Sequence, residues 1–287
     1  MANTYRQLLQ TTKLVLQEAG SEMAQLEARE LVCHAAGMNR ERLYRDMSLE
    51  VPKEAEQCLE ELIRQYRDGT PIAYLLGEWE FYGLSLTVSS KVLIPRADTE
   101  VLAERGIQRA STMTGTPRIL DLCAGSGCIG LAIAANVPSS QVILGELSED
   151  ALGVCRENVR RTGLEGQAEP RKMDVWKGPE DGLGLFDVLV SNPPYIPTED
   201  IYGLDRSVKD YEPWMALDGG TDGLDFYRAI AARWKDALRP GGAMLFEVGI
   251  GQAPDVEEIL RLEGYVDVKT TMDTQSIGRV VEGTRNN

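Results

Sequence analysis

Apolar residues in the first third of the chain recur every three or four positions, which is the spacing of amphipathic helices. Residues 5–19 form the first such stretch, and Ser21 is predicted to cap a second helix. A short turn of helix is expected after Asn39, and Pro52 suits the first turn of a further helix that Gly69 ends. Helices this short bury their apolar faces only against one another, so the pattern predicts a small helical bundle.

The apolar pattern changes between residues 71 and 100. Residues 79–84 and 86–88 alternate like two strands around a glycine turn, which predicts a β-hairpin between two domains. The segment Leu93-Ile94-Pro95-Arg96 follows and is expected to form the lip of a site.

Strand and helix patterns then alternate toward the end of the chain. Strands are expected at residues 118–122, 142–145, 188–190, 243–248 and 279–282, and helices from Ile129, from Asp150, over 224–238 and over 254–263. Gly241 and Gly242 after Pro240 predict a turn. The alternation predicts an α/β domain with an open, doubly wound sheet. We therefore expect a helical bundle over residues 1–72, a hairpin linker over 73–97 and an α/β domain over 98–287.

Composition narrows the class of site. The 287 residues include five cysteines, an odd number without a CxxC pair, which favours reduced and mostly buried thiols. His34 is the only histidine and lies in a predicted helix, where it is expected to be structural. A catalytic triad, a zinc hydrolase site or a histidine base in the α/β domain is therefore nearly excluded, and no metal site is expected.

Charge and hydropathy bear on location and partners. No apolar run approaches the roughly 20 residues that span a bilayer, and the start lacks the pattern of an export signal. We expect a cytoplasmic protein without membrane contact. The net charge of −15 argues against direct binding of nucleic acid, which requires a basic face, and is compatible with a basic protein partner.

One strand ends in an unusual way. Residues 188–190 are followed by Asn192-Pro193-Pro194-Tyr195, in which each proline restricts the residue before it to extended conformations. Such a turn presents a side-chain carbonyl and a backbone carbonyl side by side, which suits an incoming NH2 group. Two acceptors on its N–H bonds would free the delocalised lone pair of an amide or base nitrogen, and Tyr195 would pack on the flat target group.

A glycine loop between a strand and a helix indicates which cofactor would supply the electrophile for this NH2 group. Gly125, Gly127 and Gly130 satisfy G-x-G-x-x-G, and Glu146 follows about 20 residues later, as in nicotinamide dehydrogenases. Asp121 argues against a dehydrogenase, because a carboxylate just before the loop would repel a pyrophosphate. The same carboxylate favours S-adenosylmethionine, which carries an ammonium and a sulfonium and no phosphate. Glu146 would then accept hydrogen bonds from the ribose hydroxyls, and Asp174 would lie near the adenine.

The two motifs are expected to meet, because ligands of doubly wound sheets bind at the carboxyl ends of the strands. A methyl donor would then face the turn that holds an NH2 group, which predicts methyl transfer from sulfur to nitrogen. The methylated nitrogen is strongly acidic, so its proton can leave to water and no histidine is required.

Several segments together resemble the bacterial release-factor glutamine methyltransferases (PrmC/HemK). The resemblance extends over nearly the whole chain and is carried by Asp121-Leu122-x-x-Gly125-x-Gly127, Asn192-Pro193-Pro194-Tyr195, Gly77-Glu78-x-Glu80-Phe81-Tyr82-Gly83-Leu84, Leu93-Ile94-Pro95-Arg96-x-x-Thr99-Glu100, Tyr211-Glu212-Pro213, Ala216-Leu217 and Asp222-Gly223-Leu224. The Leu-Ile-Pro-Arg and Tyr-Glu-Pro segments are the specific ones, since many N-methyltransferases share the other two motifs.

The resemblance implies a fold, a cofactor and a substrate. The fold would be a seven-stranded S-adenosylmethionine-dependent methyltransferase domain with an antiparallel last strand, preceded by a small helical domain and a β-hairpin. The activity would be N5-methylation of the glutamine in the Gly-Gly-Gln loop of class 1 peptide chain release factors. It also implies site residues: the cofactor would be bound by Asp121, Cys123, Ala124, Gly125, Ser126, Gly127, Glu146, Asp174, Val175 and Asn192, the substrate by Arg96, Asn192, Pro193, Pro194 and Tyr195, with Asn192, Pro193 and Tyr195 catalytic.

The chain departs from the usual family pattern at three positions. Cys123 stands where glycine is general, Glu146 where aspartate is general, and Ala97 where proline is common. The first two departures affect the contacts expected with the cofactor.

Two other functions share these motifs. A methyltransferase acting on an exocyclic amine of DNA or rRNA would use the same loop and turn, with its base splayed onto Tyr195, but the charge of −15 argues against it. A non-catalytic cofactor-binding scaffold would not explain a turn built to hold an NH2 group.

Overall fold

The structure, a computed structural model, describes residues 3–286. The chain divides into two compact units, with the division between Gly77 and Glu78. The bundle was expected over residues 1–72; the unit observed includes one further short helix. Within the described residues, no helix is both long and apolar enough to cross a membrane.

The first unit consists of five helices: α1 (Tyr5–Glu18), α2 (Ala24–Ala35), α3 (Arg40–Arg45), α4 (Lys53–Arg67) and α5 (Ile72–Leu76). They enclose one apolar core to which the buried leucines Leu16, Leu31, Leu43 and Leu59 belong.

Side-chain caps set the ends of two of these helices. Thr4 forms a capping box with Gln7 at the start of α1, and Asn39 accepts from the Arg42 N–H at the start of α3. The prediction that Ser21 caps α2 is wrong. The Ser21 hydroxyl accepts from the Met23 N–H and donates to Glu27, and these bonds form a turn before the helix begins at Ala24.

The second unit begins with the predicted hairpin, β1 (Glu78–Phe81) and β2 (Leu84–Thr87), paired antiparallel. Its turn residues Tyr82 and Gly83 have φ values of +49° and +76°, the left-handed geometry that two-residue hairpins favour. Phe81 and Leu86 are buried in the core of this unit.

A seven-stranded sheet forms the centre of the second unit, as predicted, with the strand order β5-β4-β3-β6-β7-β9-β8. The last strand, β9, is antiparallel and lies between β7 and β8, and the other neighbours pair in parallel. The strands are β3 (Arg118–Leu122), β4 (Gln141–Glu146), β5 (Ala168–Lys172), β6 (Phe186–Ser191), β7 (Leu238–Glu247), β8 (Tyr265–Met272) and β9 (Gly278–Arg285).

Helices cover the sheet. They are α6 (Glu100–Ser111), α7 (Cys128–Asn136), α8 (Glu149–Thr162), α10 (Asp225–Arg233) and α11 (Ala253–Leu262); the four-residue helix α9 (Arg206–Lys209) has no buried residue. Successive strand residues belong to different cores: Ile119 and Val190 pack in one cluster, Leu120 and Leu189 in the other. This alternation is the two-residue period of a sheet buried on both faces.

Two predicted boundaries are wrong near Pro240. The helix expected over residues 224–238 ends at Arg233, because Leu238 already pairs with Phe186 in β7. The expected turn at Gly241 is an irregularity within β7, where the register shifts and Gly241 has a φ of +78°.

Candidate active site

A cavity of about 530 Å³ opens at the carboxyl ends of the parallel strands. Segments that follow β3, β4, β5 and β6 all contribute to it, as expected for a doubly wound sheet. Its volume is in the range of small-molecule sites. Of the predicted site residues, the following line it: Cys123, Ala124, Gly125, Ser126, Glu146, Val175, Asn192 and Pro194.

The glycine loop and Glu146 are joined by hydrogen bonds. The Gly125 N–H donates to Glu146 Oε2 at 2.9 Å, and the Ser148 N–H donates to Oε1 at 2.9 Å. Each carboxylate oxygen keeps a lone pair for a further donor, since an ionised carboxylate accepts about four hydrogen bonds. Glu146 therefore shapes the loop and also presents acceptors to the cavity.

Cys123 begins the loop in a conformation that glycine adopts more easily. Its φ is +59°, in the left-handed region where a side chain is strained. This is the position at which the sequence departs from the family's glycine. Cys123 and Cys128 both line the cavity.

Asp121 lies beneath the loop and does not line the cavity. Its Oδ2 accepts from the Gly130 N–H at 2.8 Å, which fixes the start of α7, and its Oδ1 has no partner within the described part of the chain. Burial raises the pKa of Asp121 to about 7; the Gly130 hydrogen bond opposes this rise and the charge of Glu146 adds to it.

The far wall of the cavity is aromatic and apolar. Trp176 and Phe226 pack with ring centroids 5.1 Å apart, and Val175 lies beside them. Asp174 instead lines a smaller neighbouring cavity, accepts from the Trp176 N–H and pairs with Lys177. The structure thus brings Val175 to the main cavity and leaves Asp174 at its margin.

Gly219 and the Gln252 side chain contact the backbone of the Asn192-Pro193-Pro194-Tyr195 turn. A Cβ on Gly219 would lie 2.7 Å from the Tyr195 Cα, and Gln252 Nε2 donates to the Tyr195 carbonyl at 2.9 Å. Pro193 and Tyr195 do not line the cavity; the Tyr195 ring packs against the apolar core. Asn192 and Pro194 are therefore the residues of the turn that face the cavity.

Arg96 is held at a distance from the cavity lining by an ion pair with Glu212. Glu212 is buried, and this burial raises the pKa of its carboxyl while Arg96 lowers it. The pair joins the Leu-Ile-Pro-Arg segment to the Tyr-Glu-Pro segment. The residues that follow Glu212 in the chain, Pro213 to Ala216, line the cavity. The ion pair with Arg96 therefore supports this part of the cavity wall.

Sequence reasoning missed two polar residues beside Asn192. Thr99 lines the cavity and accepts from Asn192 Nδ2 at 3.4 Å, and Glu247 is buried next to them at the end of β7. Glu247 ends its strand as Glu146 does. An acid at the end of a predicted strand was the signal that identified Glu146. The same signal would have identified Glu247 if the strand had been predicted to end at residue 247 and not at residue 248.

The donor set fits S-adenosylmethionine. Glu146 offers carboxylate oxygens suited to a diol, and the wall formed by Trp176 and Phe226 suits a flat base. Below the loop, a fully buried carboxyl oxygen of Asp121 lacks a partner within residues 3–286. Among the residues that the structure describes, Lys91 is the one cation that lines this cavity, and no cluster of basic side chains lines it. These features favour a cationic cofactor without phosphate.

Comparison with known proteins identifies relatives over nearly the whole chain. Two family models match, the PrmC N-terminal domain over residues 7–77 and the Methyltransferase small domain over residues 99–202. The release factor glutamine methyltransferase of Geobacter sulfurreducens is 39% identical over 283 residues, 98% of this chain and 96% of the relative. That of Clostridium acetobutylicum is 35% identical over 271 residues, 94% of this chain and 95% of the relative.

A solved structure agrees on the fold. The structure of a methyltransferase from Pyrococcus furiosus covers 79% of this chain and 98% of its own, with a TM-score of 0.51 and 18% sequence identity. At this identity the likeness shows the fold alone, whereas the curated relatives match both units. The chain belongs to the release factor glutamine methyltransferase family.

Proposed function

We propose that this protein methylates the N5 amide nitrogen of the glutamine in the Gly-Gly-Gln motif of class 1 peptide chain release factors, with S-adenosylmethionine as the methyl donor. The observation that carries the proposal is one cavity lined by both the Glu146-bound glycine loop and the Asn192 turn. Family membership supports the same reaction, because the curated relatives are named release factor glutamine methyltransferases.

The turn activates the substrate nitrogen. An amide nitrogen is a weak nucleophile because its lone pair is delocalised into the carbonyl. The Asn192 side-chain oxygen and a backbone carbonyl of the turn accept from the two N–H bonds and favour a tetrahedral nitrogen with a free lone pair, a preorganised electrostatic effect. S-adenosylmethionine supplies an electrophilic methyl group when bound. The proton of the methylated nitrogen then leaves to water.

The other predicted residues divide into groups around this centre. Cys123, Ala124, Gly125, Ser126 and Val175 surround the cofactor, whereas Gly127 belongs to the same loop without lining the cavity. Asp121 holds the loop from below, and Asp174 lies at the margin on the side of the base. On the substrate side, Pro194 and Tyr195 shape the turn, and Arg96 supports the wall through Glu212. The cavity lining and the resemblance support these proposed roles.

Glu146→Ala should weaken S-adenosylmethionine binding by roughly 1.5–3 kcal/mol, the range for hydrogen bonds to a charged group. The variant loses the acceptors for the ribose and the carboxylate that binds the Gly125 N–H. Isothermal titration calorimetry measures the change, with Glu165→Ala, an exposed acid away from the cavity, as the control. Unchanged affinity in Glu146→Ala would mean that another group anchors the cofactor.

The helical unit is proposed to dock the release factor. A glutamine side chain offers few contacts, so selection of a whole protein requires a larger surface, of the size that stable interfaces bury. Removal of residues 1–77, the unit that the structure delimits, should raise the KM for intact release factor at least about tenfold, on the order of 1.4 kcal/mol.

Steady-state kinetics on the truncated enzyme test this role. Cofactor affinity should stay nearly intact, and the already poor activity on a short Gly-Gly-Gln peptide should hardly change. If the truncated enzyme folds, binds the cofactor and keeps the full-length KM for release factor, the helical unit has no docking role.

The alternative substrate is an exocyclic amine of DNA or rRNA. The deciding experiment offers radiolabelled cofactor with a release factor, rRNA or DNA, and maps the modified residue by mass spectrometry. We expect label only on the release factor glutamine, and a cytoplasmic location follows from that substrate. Labelled nucleic acid with an unlabelled release factor would overturn the proposal.

A further inference from the structure

Glu247 occupies the strand end next to the catalytic turn. Strands β6 and β7 are parallel with Ser191 opposite Phe246, so Glu247 and Asn192 follow at the same level. The Glu247 residue is only 3% exposed, and its Oε2 has no partner among residues 3–286. A carboxyl group buried this deeply, outside the cavity lining, requires a physical reason, because burial of an unpaired charge is costly.

Charged and polar groups from several segments of the second unit surround Glu247. Burial raises the pKa of Glu247 to about 7, Asp98 adds to this rise, and Thr99, Arg279 and Asn192 lower it. The charge of Glu247 in turn raises the pKa values of Tyr195 on the turn and of Cys128 on α7. For both groups, burial raises the pKa more than the Glu247 charge does. The Tyr227 hydroxyl of α10 donates to the Glu247 backbone carbonyl.

The three side chains of Glu247, Thr99 and Asn192 form a directional relay. Asn192 Nδ2 donates to Thr99 Oγ1 at 3.4 Å, and the side chains of Thr99 and Asn192 both lower the pKa of the Glu247 carboxyl as hydrogen-bond donors. A hydroxyl has one proton. When Thr99 donates that proton to an ionised Glu247, its oxygen can only accept from Asn192. The Asn192 amide must then turn its NH2 toward Thr99 and its oxygen away from it.

This orientation matters because either end of an asparagine amide fits the same space. With the NH2 group turned outward, Asn192 would donate a hydrogen bond where the substrate nitrogen needs an acceptor. We propose that Glu247 is a positioning residue that, directly and through the Thr99 hydroxyl, holds the Asn192 amide with its oxygen toward the substrate; this inference rests on the proposed function.

The relay predicts a pH dependence with a definite sign. An ionised Glu247 accepts from Thr99 and favours the productive orientation. A protonated Glu247 donates to Thr99, and the Thr99 proton is then free to bind the Asn192 oxygen. This favours the opposite orientation of the Asn192 amide, with its NH2 group toward the substrate. We expect kcat to rise with pH around the raised pKa of Glu247, about 7. Asp121 titrates in the same range in every variant, so the comparison between variants isolates Glu247.

Glu247→Gln and Thr99→Val test the relay, with kcat measured on intact release factor at saturating cofactor between pH 6 and pH 9. Both substitutions keep the shape of the side chain and remove the directional bond. We expect kcat at pH 8 to fall at least about tenfold, as for a small misplacement of a reacting group, with cofactor affinity retained and the limb around pH 7 lost. Thr99→Ser restores the hydroxyl and should recover most of what Thr99→Val loses.

A double variant separates positioning from a merely structural role. Because Thr99 acts through Glu247, adding Thr99→Val to Glu247→Gln should lower kcat little further than Glu247→Gln alone. If one single variant fails to fold, the other one alone carries the test. Wild-type kcat with an unchanged pH profile in a folded variant would overturn the inference, as would independent, multiplying losses.

The failure of this inference is distinguishable from failure of the proposed function. Wild-type enzyme that methylates release factor glutamine, together with an inactive Asn192→Ala variant and fully active Glu247→Gln and Thr99→Val variants, would remove only the relay. Wild-type enzyme that leaves the glutamine unmodified would instead remove the proposed function.

Discussion

Asn192→Ala should lower kcat by ~10²–10³, the loss observed when one preorganised polar contact is removed from a transition state. The variant keeps the two prolines and the β6 strand end, so the turn stays in place while its side-chain acceptor is lost. Cofactor affinity should stay within a few-fold, because the Glu146 and glycine-loop contacts are unchanged.

Single-turnover methylation of the release factor, read by mass spectrometry, measures the chemical step. Asn136→Ala is the matched control: this asparagine is exposed at the end of α7 and lies outside the cavity lining. Turnover of Asn192→Ala within a few-fold of that control would show that the side chain is not the acceptor.

Gly219→Ala should reduce kcat by about 10²-fold, because misplacement of catalytic groups by about 1 Å has an effect of that size. The added Cβ would lie 2.7 and 2.8 Å from the Tyr195 Cα and carbonyl carbon and 2.9 Å from the Pro194 oxygen. All three atoms are backbone, so no flexible side chain can move aside, and the turn itself must shift. The strain arises from contact alone, since the φ of Gly219 is outside the left-handed region.

Gly203→Ala is the matched control for this substitution, since a Cβ there meets nothing within 4 Å and its φ is also outside the left-handed region. Cofactor affinity and thermal stability measured on both variants separate a local shift from general damage. Equal turnover in the two variants would mean that the enclosure of the turn is not required for activity.

Local sequence signals were sufficient to predict most helices and strands, the glycine loop and the Asn-Pro-Pro turn. The glycine loop, the Asn-Pro-Pro turn and the hairpin each depend on backbone preferences of a few adjacent residues, which sequence displays directly. The error at Ser21 shows the limit of this reasoning. Its hydroxyl accepts from the Met23 N–H, two residues later, and donates to Glu27, so it closes a turn before the helix and does not cap it.

The remainder depends on contacts between segments distant in the chain. Glu247 lies beside Asn192 only because of the register between β6 and β7, which neither strand's pattern specifies. Arg96 pairs with Glu212, 116 positions later, and the Tyr195 ring packs into the core. For these residues the sequence indicated the neighbourhood of the site, and tertiary packing determined which atoms face the cavity.

Cys123 and Cys128 line the cavity, so the protonation state of their thiols decides whether they react with a methyl donor bound there. A sulfonium methyl donor is an alkylating agent, and a thiolate is a stronger nucleophile than an amide nitrogen. Burial raises the pKa of Cys128 to about 12, and burial also raises that of Cys123 well above its usual range. Both sulfurs therefore remain protonated at neutral pH, and the thiol form is unreactive. The desolvated wall thus protects the enzyme from methylating itself while an intrinsically poorer nucleophile reacts beside it.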